Sequence, residues 1–214
     1  MENPISINFD TYYHTLGNPT KNTQEVWVAC HGYGQLAKHF MRRFDVLDPE
    51  QHYVIIPQGL SRFYLADDYN HVGASWMTKE HRETDIINQQ RYLDAVFEQE
   101  IKQFTHEVKI NLFGFSQGVS TVWRWAAKRK LAFYKLVMWA GEFPREFTKA
   151  HLAFVPESAK IYSVIGTQDQ YYNSERFEAL ANKMEKLCKR PETILFDGKH
   201  EVNREIILKI AGLS

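Results

Sequence analysis

Two cysteines in 214 residues are too few for a disulfide framework, and Cys30 and Cys188 show no metal-site or redox-motif spacing. Net charge is missing as well. Lys plus Arg and Asp plus Glu are 26 each, which leaves no field to attract nucleic acid or an anionic membrane. The cluster Lys128-Arg129-Lys130 reads as a solvated helix end, where positive charge suits the dipole. No apolar run approaches the length of a membrane span, so no membrane insertion is expected. Met1-Glu2-Asn3-Pro4-Ile5 carries neither the basic stretch nor the apolar core of a secretory signal. There is no His-Glu-x-x-His and no clustered Cys/His set, so neither metal nor cofactor is expected. A soluble protein of the reducing cytoplasm is the expectation that remains.

With 44% hydrophobic and 24% charged residues, the chain has the balance of a globular protein whose length suits one core. Short apolar runs alternate with helical ones. Strands are expected at Val26–Cys30, Tyr53–Pro57, 108–113, Lys135–Trp139, Ile161–Ile165 and Thr193–Phe196. Helices are expected at Leu36–Leu47, Glu83–Phe104, 118–129, Ser174–Cys188 and Val202–Leu213. This order demands a mostly parallel sheet with helices on both faces. Ile5, Ile7 and Phe9 alternate with polar residues ahead of Tyr12–Leu16, so residues 1–17 are expected to form an antiparallel hairpin at a sheet edge. Gln58–Glu80 reads as irregular and aromatic-rich. One domain spans residues 1–214.

Glycine is sparse, so its concentration in Gly114-Phe115-Ser116-Gln117-Gly118 is informative. The preceding Val108–Phe113 alternates as a strand, and the following residues suit a helix. A Gly-x-Ser-x-Gly at such a junction is a nucleophile elbow, where small neighbours let the chain turn sharply enough to lift the serine hydroxyl out of the sheet. The same turn sets the Gln117 amide at a helix start, facing any oxyanion that develops nearby.

A serine hydroxyl needs a base within reach and a group to orient that base. In open parallel sheets reactive groups gather at the carboxyl ends of strands. Of the nine histidines, His200 follows a strand through Phe196-Asp197-Gly198-Lys199 and is the expected base. Asp169 follows the preceding strand through Ile165-Gly166-Thr167-Gln168 and is the expected acid, with Glu142 and Asp197 as rivals. The order Ser, Asp, His is that of α/β-hydrolases. The loop His31-Gly32-Tyr33-Gly34 has the glycines to expose a second oxyanion amide. It also opens Gly32-Tyr33-Gly34-Gln35-Leu36-Ala37, which matches a dinucleotide-binding fingerprint. The acidic residue required at the end of the next strand is missing from Ile56-Pro57-Gln58, so that reading fails.

Taken together, the elbow, His31-Gly32, Gly166-x-x-Asp169 and Gly198-x-His200 resemble the phospholipase/carboxylesterase family of α/β-hydrolases, which includes carboxylesterases and acyl-protein thioesterases. The resemblance implies a compact α/β-hydrolase without a large cap domain, working without a cofactor. It implies Ser116, Asp169 and His200 as catalytic residues and the amides of Gln117 and Tyr33 as the oxyanion hole. Gly73-Ala74-Ser75-Trp76 and Ala140-Gly141-Glu142-Phe143-Pro144 resemble further family segments. Tyr33 stands where the family often has leucine, and Lys199 where it often has glycine. Leu60–Leu65 with Trp76, Phe143, Tyr171 and Tyr172 is a candidate apolar lining for an acyl group. The expected activity is hydrolysis of short-acyl esters or thioesters through an acyl-serine. A non-catalytic ligand-binding protein on the same fold and an amidase or peptidase are the alternatives.

Overall fold

The computed structural model describes all residues except Asp68, Tyr172 and Ser214. Its centre is a seven-stranded sheet in the order β1-β3-β2-β6-β7-β8-β9. The strands are β1 (Tyr13–Leu16), β2 (Glu25–Cys30), β3 (His52–Pro57), β6 (Lys109–Phe115), β7 (Lys135–Trp139), β8 (Lys160–Gly166) and β9 (Glu192–Phe196). All neighbours are parallel except β1, which runs antiparallel to β3. Between β3 and β6 the chain inserts a small separate hairpin of β4 (Ser61–Tyr64) and β5 (Val72–Ser75).

Both faces of the sheet are covered, which is why its central strands are apolar throughout. In β2, Val26, Val28 and Cys30 enter one core, while Trp27 and Ala29 enter the other. The first core is closed by α2 (Arg82–Ile101), α3 (Gln117–Arg129), α4 (Lys149–Leu152) and α5 (Ser174–Leu187). They contribute residues such as Leu93, Trp123, Leu152 and Met184. The second is closed by α1 (Ala37–Phe40) and α6 (Arg204–Ala211), through Phe40 and Ile207. Trp123 and Trp125 are both fully buried, so α3 packs against sheet and helices at once. Among the described residues no helix is long and apolar enough to cross a membrane.

Three expectations need correction. The hairpin over residues 1–17 does not form. Tyr13–Leu16 pairs with β3 instead, Leu16 opposite Val54 and Tyr13 opposite Pro57, and residues 1–12 hold no strand. Ile5, Ile7 and Phe9 are exposed, so their alternation covers no core face. The helix expected at Leu36–Leu47 is only α1 followed by a 3₁₀ turn at Met41–Arg43. Phe40, Phe44 and Leu47 are still buried, but the chain reaches them through tight turns. Finally, Gln58–Glu80 contains the β4–β5 hairpin rather than irregular chain alone.

The carboxyl ends of β2 and β6 are locked by close backbone approach. A Cβ on Gly118 would stand 2.2 Å from the Cys30 carbonyl oxygen, and one on Gly114 would stand 2.5 Å from the Val119 Cα. Gly118→Ala is therefore expected to destabilise the fold by about 1–3 kcal/mol through overpacking, seen as a lowered urea midpoint. An unchanged midpoint would mean that the approach relaxes at no cost.

Candidate active site

Every residue expected to do chemistry lies on a loop leaving the carboxyl edge of the sheet. Ser116 sits between β6 and α3 with φ 52 and ψ −117, a conformation unfavourable for any residue with a Cβ. Its amide donates to the Trp139 carbonyl at 2.8 Å, which ties the turn to the end of β7. Ala140, on the adjoining strand end, also has positive φ, at 47°. Two strained residues therefore stand side by side where the sheet ends.

Asp169 follows β8 and His200 follows β9. The Thr167 amide donates to the Phe196 carbonyl and the Gln168 amide to the Gly198 carbonyl, both at 2.9 Å, so the two loops are laced together. The Asp169 side chain is wholly shielded from solvent. One oxygen meets His200 Nδ1 at 2.7 Å, and the other accepts the Tyr171 amide at 2.8 Å. A buried carboxylate so held fixes the imidazole with its proton on Nδ1 and leaves Nε2 as the acceptor. The imidazole rests on Phe115, the residue before Ser116, at 4.8 Å between centroids, and meets the edge of Tyr171 at 4.9 Å. The Ser116 hydroxyl makes no hydrogen bond among the described residues, and such contacts often tighten only when substrate is bound. The rivals for the acid point elsewhere: Glu142 pairs with Arg145 at the surface, and Asp197 accepts from the Gln168 side chain.

The Gln117 amide opens α3, where no carbonyl lies one turn earlier to receive it. In the loop after β2, Gly32 donates to the Gln35 side chain, Gly34 to the Ala74 carbonyl and Gln35 to the Gly32 carbonyl. The Tyr33 amide between them has no acceptor among the described residues. Gln117 also works through its side chain. Its Oε1 accepts the Trp76 amide at 2.9 Å, and its Nε2 donates to the Met77 carbonyl at 2.8 Å, which anchors the segment after β5 to the elbow. This anchoring was not legible in the sequence.

Two expected substrate contacts are core residues. Trp76 is buried, with its indole donating to the His31 carbonyl at 2.8 Å. Phe143 is buried between Trp123 and Phe147. Neither side chain is exposed on the surface beside His200. Tyr171 is exposed beside His200, and Tyr33 is exposed against Phe63 at 5.1 Å. Tyr172 lies outside the described residues. Arg62 stacks over Tyr12 at 5.6 Å. Among the described residues no cluster of His, Cys, Asp and Glu is arranged to hold a metal.

The profile of the Phospholipase/Carboxylesterase family matches residues 13–211. The chain belongs to this family. It is an esterase/thioesterase-type group of α/β-hydrolases, and the mostly parallel sheet agrees with that fold. No curated protein sequence matches the chain significantly. Among solved structures, acyl-protein thioesterase 2 of Zea mays superposes with a TM-score of 0.70 at 13% identity, covering 94% of this chain and 96% of its own. Esterase PE8 gives 0.69 at 16% identity, covering 93% and 95%. A phospholipase/carboxylesterase of Dyadobacter fermentans gives 0.66 at 14%, covering 98% and 99%. At such identities the likeness is one of fold.

Desolvated histidines are expected to make the stability of this hydrolase pH-dependent. Burial pushes His31 down to about 4 from the ordinary 6.5, and burial lowers His14 and His52 as well. Between those values the unfolded chain binds protons that the folded chain refuses. Stability is then fully present above about pH 6.5 and lost as pH falls towards 4, by up to roughly 3 kcal/mol for His31 alone. Urea unfolding across this range is expected to show the loss, and His31→Asn to show a smaller one. A pH-independent difference between the two proteins would contradict it.

Proposed function

We propose that the protein is a serine hydrolase that cleaves carboxylic esters or thioesters of short acyl chains through an acyl-serine intermediate. The observation that carries this reading is the buried Asp169 held at 2.7 Å from His200, beside a serine at φ 52. A structural ion pair has no need of a strained serine next to it, and a strained serine has no need of an oriented imidazole. Family membership over residues 13–211 supports the same chemistry.

Ser116 Oγ attacks the substrate carbonyl carbon while His200 Nε2 takes its proton. Asp169 holds the tautomer and stabilises the imidazolium. The carbonyl oxygen gains negative charge and accepts hydrogen bonds from the Gln117 and Tyr33 amides. The tetrahedral intermediate collapses, His200 passes the proton to the leaving alcohol or thiol, and the acyl group remains on Ser116. Water then enters, His200 removes its proton, and the acid is released as Oγ recovers a hydrogen. Each step conserves charge among these groups. The free thiols Cys30 and Cys188 are consistent with action in a reducing, cytoplasmic compartment.

Ser116→Ala is expected to keep the fold and lose turnover of p-nitrophenyl esters. Asp169→Asn is expected to reduce kcat by up to about 10⁴-fold, through the wrong imidazole tautomer. If Glu142→Gln loses activity while Asp169→Asn keeps it, the acid belongs to the β7 loop.

Acyl-chain preference follows from the exposed Tyr33, packed on the half-buried Phe63, and the exposed Tyr171. A shallow site bounded by these rings gains about 0.8 kcal/mol for each of the first buried methylenes and little beyond them. A panel of p-nitrophenyl esters of increasing length, with a thioester and an anilide, is expected to peak at short chains. Tyr33→Leu should move the optimum to longer ones. A long-chain preference unchanged in that variant would show that the acyl group leaves by another route, and turnover of the anilide above the esters would favour an amidase.

A further inference from the structure

His31 is fully buried directly before the loop that carries the Tyr33 amide, and the reaction as written gives it no task. Its surroundings define its protonation. Nε2 faces two donors, the Gly59 backbone amide at 2.9 Å and the Gln58 side-chain nitrogen at 3.4 Å. The Gly59 N–H can only donate, so Nε2 must carry the lone pair and Nδ1 the hydrogen. Nδ1 lies 2.8 Å from the carbonyl oxygen of Gly32 and therefore donates to it.

That carbonyl belongs to the same peptide unit as the Tyr33 amide. In a planar trans peptide the C=O and N–H vectors point in opposite directions, so fixing one fixes the other. The Gln35 amide adds a second bond to the same oxygen at 3.2 Å. The ring is packed against two aromatic neighbours. Trp76 lies 4.9 Å away on one side and Phe40 at 6.4 Å on another, while the Trp76 indole also holds the His31 carbonyl.

We propose that His31, in its neutral Nδ1–H form, is a positioning residue that aims the Tyr33 amide at the oxyanion by holding the Gly32 carbonyl away from it. The proposal rests on the serine-hydrolase reading above and names a further part of that site. Its benefit is specific to the transition state, since the amide bonds most strongly when the oxygen is charged.

Two substitutions separate aim from packing. His31→Asn keeps an N–H near the Nδ1 position and loses the acceptor for Gly59. His31→Gln keeps an acceptor near the Nε2 position and loses the donor to Gly32. Each removes one buried hydrogen bond, so both are expected to lower stability similarly. The glutamine variant should lose kcat by about 10- to 100-fold, approaching the roughly 10²–10³-fold cost of losing an oxyanion donor. The asparagine variant should recover most of kcat, and KM should change little in either. Equal losses of kcat in the two, or a loss confined to KM, would overturn the proposal.

Should either variant fail to fold, ¹⁵N-histidine NMR of the wild-type protein tests the premise directly. The expected spectrum shows His31 as Nδ1–H and neutral at pH 7, and an Nε2–H tautomer would overturn the assignment. Failure of the serine reading is distinguishable, because it would appear as full turnover in Ser116→Ala while the His31 tautomer stayed as described.

Discussion

Ser116 at φ 52 and ψ −117 is the constraint from which the rest of this site follows. Such a backbone costs roughly 1–3 kcal/mol and persists only when its surroundings over-determine it. Here they do. The Ser116 amide is bound to the Trp139 carbonyl, and the first turn of α3 lies so close to the end of β2 that Gly118 has no space for a Cβ. The Gln117 side chain fastens the segment after β5 to the same corner.

Around that fixed point the parallel sheet acts as an alignment device. Strands β2, β6, β8 and β9 all end at one edge, so the loops that carry Tyr33, Ser116, Asp169 and His200 converge without long excursions. The polar groups there are held in matched pairs: Asp169 with His200, and neutral His31 with Gly32 and Gly59. Trp76 and Phe143 are packed inside the protein near this edge, Trp76 against His31 and Phe143 against Trp123 and Phe147.

How much of this was legible depends on how local each signal is. The central strands were readable because burial on both faces leaves runs such as Val26–Cys30 and Lys135–Trp139 with hardly a polar residue inside them. That Asp169 and His200 lie at neighbouring strand ends, where they meet, was readable because each follows a strand through a glycine. The N-terminal segment misled for the opposite reason. Ile5, Ile7 and Phe9 have the period of a strand, but periodicity says nothing about whether a partner has a free edge, and Tyr13–Leu16 had already taken that of β3. The β4–β5 hairpin was hidden because Val72-Gly73-Ala74-Ser75 is too small and short to show a pattern, and its pairing with Ser61–Tyr64 is a tertiary fact. Trp76 and Phe143 were placed at the substrate by their aromatic character, which does not distinguish a pocket wall from the packing behind it.

The central claim is that Ser116 is a nucleophile activated by His200. It is tested most directly by treating the native protein with a fluorophosphonate and mapping the modified peptide by mass spectrometry. The account predicts one phosphonyl adduct, on Ser116, whose rate of formation collapses when His200 is replaced by alanine. An adduct on another residue, or equally fast labelling of Ser116 without the imidazole, would contradict it.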